Sequence, residues 1–354
     1  MKTNNLFIAG MAAMALLVAS CSNDDDAKVA GNGEKAAITI RLKGETALTK
    51  ATGPTTDDQT DEQKVHNFKV YVFNAGSGEL EAAKDGSVNS SGEAQVTRIE
   101  DLNTASAKHI VVLANRPDGY PELTNYSQLT NMNIDLGTQA PNKKATGGLA
   151  MSGEAANLVL NSGDQTVPVT IRRVVAKIEL AAITIRPDEN STGSFELKGV
   201  SIQKAKQFAN FGPTTILSSS PFLGGLAGSE SALPGSDNYL FDMLATPPAN
   251  VQTACDNYFY VHPNEVSGEE TLLTIAGLYN GKETYFPFRI NDKIGSSNTD
   301  GSLIQRNTRY VLNVTLKKLG SGSDNPDVPG DPAAIDVEVS TEGWAGPIIQ
   351  DVEW

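Results

Sequence analysis

The sequence predicts an all-β protein of two tandem antiparallel β-sandwiches, with strand-like segments added at both ends. Three observations carry this prediction. Apolar and polar residues alternate in short runs along most of the chain, the period of a strand with one buried face. Turn formers separate the runs, with 32 glycines and 17 prolines among 354 residues. After the N-terminal segment no stretch of ten or more residues keeps a helical period, and no strand–helix–strand alternation appears, which favours sandwiches over a parallel sheet.

The chain opens with Lys2 and an apolar run from Leu6 to Val18, shorter than the ~20 residues a membrane-spanning helix needs. Val18-Ala19-Ser20-Cys21 places small residues before a cysteine, the pattern a lipoprotein signal peptidase accepts. Residues 1–20 therefore read as a lipoprotein signal peptide and Cys21 as the lipidated (palmitate-bearing) residue, an ordinary secretory signal being the alternative. With Cys21 acylated only Cys255 remains, so no internal disulfide can form and Cys255 reads as a buried small hydrophobe.

Strand runs follow in order. Phe68, Val70 and Val72 alternate within Asn67–Phe73, His109–Ala114 is continuously apolar, and Val167–Leu180 is one long β-rich stretch. Phe195/Leu197, Val200/Ile202, Tyr258–Val261, Leu272–Ile275 and Tyr285–Ile290 are short strands, and Tyr310, Leu312, Val314 and Leu316 alternate cleanly. Asn280-Gly281 signals a hairpin. Short helices fit Tyr120–Leu129 and Ser236–Leu244. These runs divide the chain into a prosegment with a removable strand (21–50), sandwiches over 51–178 and 179–320, and a region over 321–354 holding a linker and C-terminal strands. Within it, Gly320–Pro332 reads as a flexible acidic linker that sets the last segments apart.

The two ends look alike. Ile38, Ile40 and Leu42 share one face of a segment ahead of the first sandwich. Ile335, Val337 and Val339 share a face near the C-terminus, as do Ile348, Val352 and Trp354. A lone strand cannot satisfy its own backbone, so each must pair. Thr46–Gln63 between the first segment and the first sandwich is polar and reads as exposed. Within it Lys50-Ala51 offers a site for a trypsin-like protease, with Lys43-Gly44 as a second option. Removing Ala36–Leu42 would leave a groove that a neighbour's C-terminal strand could fill, and a head-to-tail contact of that kind builds filaments. Pairing of both ends within their own chain is the other reading open at this point.

The net charge of −14 disfavours nucleic acid and anionic membrane surfaces as partners. His66, His109 and His262 have no ligand or nucleophile partner nearby in sequence. Asp324, Asn325, Asp327 and Asp331 lack calcium-loop spacing, and Asp57, Asp58, Asp61 and Glu62 read as solvated carboxylates. With no phosphate loop or nucleophile motif, the expectation is a non-enzyme without cofactors or metal. A monomeric surface lipoprotein that binds glycans is a competing class, disfavoured by an aromatic content of 6%.

Several stretches resemble the Bacteroidales fimbrillins, the FimA-type subunits of type V pili: VHNFKVYVFN over 65–74, HIVVLAN over 109–115, Met151-Ser152-Gly153, RVVAKIEL over 173–180, YFYVHP over 258–263, RNTRY over 306–310 and the closing Trp344…Gln350-Asp351-Val352-Glu353-Trp354. Their order and spacing make the resemblance specific. It implies transthyretin-like sandwiches, export as an outer-membrane lipoprotein, proteolytic removal of a prosegment, C-terminal strand donation, and assembly with other copies and accessory subunits into extracellular adhesive fimbriae. The acidic run Ser22–Asp26 resembles the surface-export signal of Bacteroidales lipoproteins, and fits a solvated tether equally. The C-terminal appendage suggests a shaft subunit, with tip or anchor subunits as alternatives.

Overall fold

The computed structural model describes residues 34–44, 62, 64–88, 97–117, 119–139, 148–213, 217, 219–227, 238–290, 304–331 and 334–343. It is mostly β-strand. The first group of strands is β1 (Lys35–Gly44), β2 (Phe68–Asn74), β3 (Leu80–Gly86), β4 (Thr97–Asn103), β5 (Lys108–Ala114), β6 (Asn133–Asp135), β7 (Met151–Leu158) and β8 (Gly163–Arg173).

Seven of these form one sheet in the order β3-β2-β5-β7-β8-β1-β4. β7 and β8 pair only at Met151↔Arg173 and Ser152↔Arg172, so the sheet bends there into two layers. Its far ends meet again, where Lys84 Nζ on β3 donates to the Arg98 carbonyl on β4 at 2.8 Å. Between the layers lies a core of Ile38, Ile40, Val70, Val72, Ile110, Val112, Val169 and Ile171 with their neighbours. The apolar alternation read from the sequence is the inward face of these strands.

The second group begins with β9 (Ala176–Ile185) and continues with β10 (Phe195–Gln203), the short β11 (Ala205–Lys206), β12 (Phe208–Asn210), β13 (Phe222–Leu223) and β14 (Phe241–Met243). β15 (Thr253–Val261), β16 (Leu272–Tyr279), β17 (Lys282–Arg289), β18 (Thr308–Leu316) and β19 (Ile335–Gly343) complete it. Two four-stranded sheets, β14-β10-β16-β17 and β15-β9-β18-β19, enclose a second core containing Ile178, Leu180, Val200, Ile202, Ile275, Leu312 and Val314. A third, smaller core of Tyr71, Phe73, Val111, Leu113, Ile134 and Phe211 lies on the opposite face of β2 and β5.

Local chemistry explains the details. Asn280 and Gly281 both take positive φ (52° and 78°), as a two-residue hairpin between β16 and β17 requires. Phe195/Leu197 and Val200/Ile202 sit on opposite parities of one strand because a register shift between Leu197 and Gly199 inserts an extra residue and restores the inward face. Pro287 lies on β17, an edge strand, where a missing N–H costs no ladder bond.

Several expectations need correction. The seven-stranded sheet and the β15-β9-β18-β19 sheet are mixed rather than antiparallel, since β1 runs parallel to β8 and β9 parallel to β18, whereas β14-β10-β16-β17 is antiparallel throughout. In both units the first strand lies beside a late one, which long crossovers permit. The stretch 167–180 is two strands, and the change of sheet falls at Val174-Val175, ahead of the expected 178/179 boundary. Val174 packs into the third core and Val175 into the second. The expected helix over 236–244 contains β14 instead, whereas a short 3-10 helix does occupy Tyr126–Asn131.

Over its described part, 320–331, the flexible-linker reading also fails. Thr274 Oγ1 donates to the Pro326 carbonyl at 2.9 Å, Ser323 and Tyr285 exchange backbone hydrogen bonds, and Lys282–Asp324 and Lys318–Asp331 pair at 2.9 and 3.0 Å. These contacts dock the segment on the second unit, and β19 joins that unit's sheet instead of standing apart.

Candidate assembly site

The site is built around β1. Its residues 36–44 pair with 163–171 of β8 on one side, and its other side pairs with β4 from Lys35↔Asn103 to Ile40↔Thr97. β1 is therefore an interior strand although it belongs to the leading segment. Ala36, Ile38, Ile40 and Leu42 are 3%, 0%, 1% and 4% exposed and sit in the first core. Thr39 and Arg41 are half-buried on the outer face, and Lys43 is exposed. Without β1, both β8 and β4 would carry unpaired backbone edges around an apolar trench.

An ionic clasp crosses the outer face of β1. Arg98 on β4 and Asp164 on β8 make two parallel hydrogen bonds, each 2.9 Å, over the strand between them. The guanidinium holds the Asp164 carboxyl below the usual carboxylate range, and Asp164 and Glu100 raise Arg98 in turn. The start of β1 is tied down as well, with Thr104 N and Oγ1 donating to the Glu34 carbonyl at 3.0 and 2.9 Å.

At the other end of the chain, β19 pairs with β18 from Thr308↔Gly343 to Leu316↔Ile335. Ile335 is buried in the second core and Val337 packs against it. β19 is an edge strand, and its outer side meets no further strand among the described residues. Ile335 and Val337 are thus placed within their own chain's sheet. The side chain of Val339, together with Cys21, Lys50, Ala51, Ile348, Val352 and Trp354, lies outside the described residues.

The sequence reading missed a buried polar network at the junction of the two units. Glu62, expected to be solvated, is 1% exposed. Its Oε1 accepts from Lys177 Nζ at 2.8 Å and from Tyr260 Oη at 2.5 Å. Arg173, fully buried, donates through Nε to the Glu62 carbonyl at 3.0 Å and through a terminal nitrogen to Asn307 Oδ1 at 3.1 Å. The Lys177 ammonium lies 4.2 Å from the Tyr258 ring centroid, a cation–π contact. Burial lowers the Arg173 pKa to about 10, and burial followed by the Glu62 carboxylate raises that of the Tyr260 phenol. Arg306 adds donors to the Arg173, Arg172 and Gly212 carbonyls and to Ser152 Oγ, at 2.9–3.2 Å. The available signal was Arg173 and Lys177 on either side of the apolar Val174-Val175-Ala176, where charges must find partners.

The remaining candidates are occupied structurally. His109 Nδ1 faces Glu154 Oε1 at 2.9 Å, with its ring stacked on Tyr126. His262 is fully buried, its pKa lowered to about 3 by that burial. Cys255 is half-buried, and burial pushes its thiol pKa up, opposite to the activation a nucleophilic cysteine needs. Among the described residues no group of three or more His, Cys, Asp or Glu could hold a metal ion, and no helix is long and apolar enough to cross a membrane. A cleft of about 620 Å³ lies between the segments around Tyr120 and Asn133, with Phe208 at its wall. Its carboxylates are engaged within the chain, Glu122 by Lys69 and Asp135 by Gly137 N and Gln207 Nε2.

Comparison with known proteins completes the picture. Residues 36–198 match the family model described as major fimbrial subunit protein (FimA), a stretch that begins at β1. A Parabacteroides distasonis protein named "Putative fimbrium tip subunit Fim1C" is 26% identical over 92% of this chain and 90% of its own length. The major fimbrium subunit FimA type-2 of Porphyromonas gingivalis is 23% identical over 97% and 98%. A fimbrilin (fimA) crystal structure from Porphyromonas gingivalis superposes with a TM-score of 0.61 at 17% identity, covering 90% of this chain and 99% of that one. Over residues 36–198 the chain is thus similar to the FimA-type major fimbrial subunits, and along nearly its full length to proteins named as fimbrium subunits.

Proposed function

We propose that the chain is a pilin that polymerises by protease-triggered exchange of β1 for a strand from a neighbouring copy, and so builds an adhesive surface fimbria. In this reading it is exported as a lipoprotein held at the outer membrane through Cys21, and a trypsin-like protease cuts at Lys50-Ala51. The observation that supports it best is the position of β1: an interior strand with buried Ala36, Ile38, Ile40 and Leu42, yet joined to β2 only through the segment that carries Lys50. Burying each aliphatic side chain contributes roughly 1.5–3 kcal/mol, so a vacated trench strongly favours a replacement strand.

The pairing of β19 refines the donor. Ile335, Val337 and Val339 lie on a strand already committed to β18, so they serve as the base of the appendage. The donor is the segment beyond Gly343, which carries Ile348, Val352 and Trp354. The relatives include proteins named as major and as tip subunits, and a donor segment at the C-terminus favours the shaft.

Trypsin treatment of the purified precursor should yield a fragment starting at Ala51 that forms heat-labile ladders on unboiled gels. Truncation after Gly343 leaves β19 in place and should abolish the ladders. Ladders unchanged by that truncation would rule out C-terminal donation.

A further inference from the structure

We propose that Glu62 and Lys64–Asn67 form a strap that fastens the chain just downstream of the prosegment to both sandwiches, so that proteolytic processing stops short of β2. The inference deepens the processing step of the proposed function and rests on that reading for its biological setting.

The strap is held at two places. On the second unit, the Glu62 carboxylate takes Lys177 Nζ and Tyr260 Oη, and its carbonyl takes Arg173 Nε. On the first unit, Asn115 serves the segment on both sides. Its Nδ2 donates to the Lys64 carbonyl at 2.8 Å, its Oδ1 accepts from His66 N at 2.7 Å, and its own N–H donates to the Asn67 carbonyl at 2.8 Å. Asn115 sits at φ 52° to do this, a left-handed conformation that asparagine tolerates better than most residues. Val65, between the two fastenings, is completely buried in the first core.

This placement has a chemical consequence for proteolysis. Between Gly44 and Val65 the basic residues are Lys50 and Lys64. A trypsin-like enzyme must draw several residues into its cleft, so a site is cut in proportion to how often its backbone comes loose. Lys64 lies inside the strap, flanked by Glu62 and Val65, and is held through its own carbonyl. Upstream, Arg41 and Lys43 lie within β1, paired to Pro168 and Thr170 of β8. Ladder and strap thereby engage Arg41, Lys43 and Lys64, and the cut is assigned to Lys50, which lies outside the described residues. A second cut at Lys64 would release Glu62 from the junction network and leave Val65 as a free end at the mouth of β2.

The test is mass spectrometry of the trypsin product of the full-length precursor. The wild-type product should begin at Ala51. Glu62→Gln should accelerate cleavage at Lys64 on the order of tenfold or more, giving a product beginning at Val65 while Lys69, Lys84 and Arg98 stay uncut. Tyr260→Phe, which keeps the carboxylate and its lysine, should give a smaller increase at the same bond, and it decides the matter if Glu62→Gln does not fold. Unchanged resistance at Lys64 in both variants overturns the strap. Cleavage scattered along the chain overturns it too, because that marks global rather than local loosening. A wild type left intact at Lys50 beside variants cut at Lys64 would sink the processing site and leave the strap standing.

Discussion

Ile40→Ala should lower the unfolding free energy of the precursor by about 2–5 kcal/mol and leave assembled filaments unaffected. Ile40 is 1% exposed in the first core, and its backbone pairs with Val167 of β8 and Thr97 of β4. Truncation there leaves a cavity walled by strands that cannot close up without breaking both ladders. If β1 departs during maturation, the cavity departs with it. Urea unfolding of the precursor measures the first half of the prediction, and the temperature at which ladders dissociate measures the second. Filaments weakened as much as the precursor would mean that β1 stays in the fibre.

The second large effect is expected at the junction. Lys177→Met leaves the Glu62 carboxylate buried without its cation, and removing one partner of a buried pair costs about 3–5 kcal/mol. Lys177 and Glu62 are each 1% exposed, so water cannot replace the lost charge without opening the junction. Glu62→Leu combined with Lys177→Met should recover most of the loss, because the cost comes from the orphaned charge more than from the missing attraction. Guanidinium unfolding of the two variants measures this. A loss under about 1 kcal/mol for Lys177→Met, the range of exposed pairs, would contradict the burial of the pair.

Much of the fold was legible because each strand keeps its own period. Val70 and Val72, or Leu312 and Val314, could be assigned to a core from their spacing alone. Partners and directions were not legible. Nothing in the alternation of Ile38, Ile40 and Leu42 shows that the strand runs parallel to β8 and antiparallel to β4, since period 2 fixes the face of a strand and not its neighbour. The boundary was misplaced because 167–180 reads as one β-rich stretch with no turn residue at the change of sheet. Val174 and Val175 serve two different cores, which an unbroken β-rich run conceals.

Polar composition misled in two places. Glu62 and the acidic 320–332 segment look solvated in sequence, yet one is paired with a lysine more than a hundred residues away and the other is docked over 320–331 by Thr274 and two ion pairs. Such long-range partners leave no local trace except charges flanking an apolar run, as at Arg173 and Lys177. The candidate site was half legible. The apolar face of β1 was read correctly, whereas the Arg98–Asp164 clasp joins residues on two strands whose adjacency only the topology supplies.

The most direct test of strand exchange is amide hydrogen exchange of β8 and β4 followed through maturation. In the precursor, residues 163–171 and the paired residues of β4 should be protected by β1. After cleavage of chains truncated beyond Gly343, those amides should become exposed while β2 and β5 stay protected, and adding intact cleaved chains should restore protection as filaments form. If β8 and β4 remain protected in the cleaved, truncated chain, β1 has not left its place and the exchange does not occur.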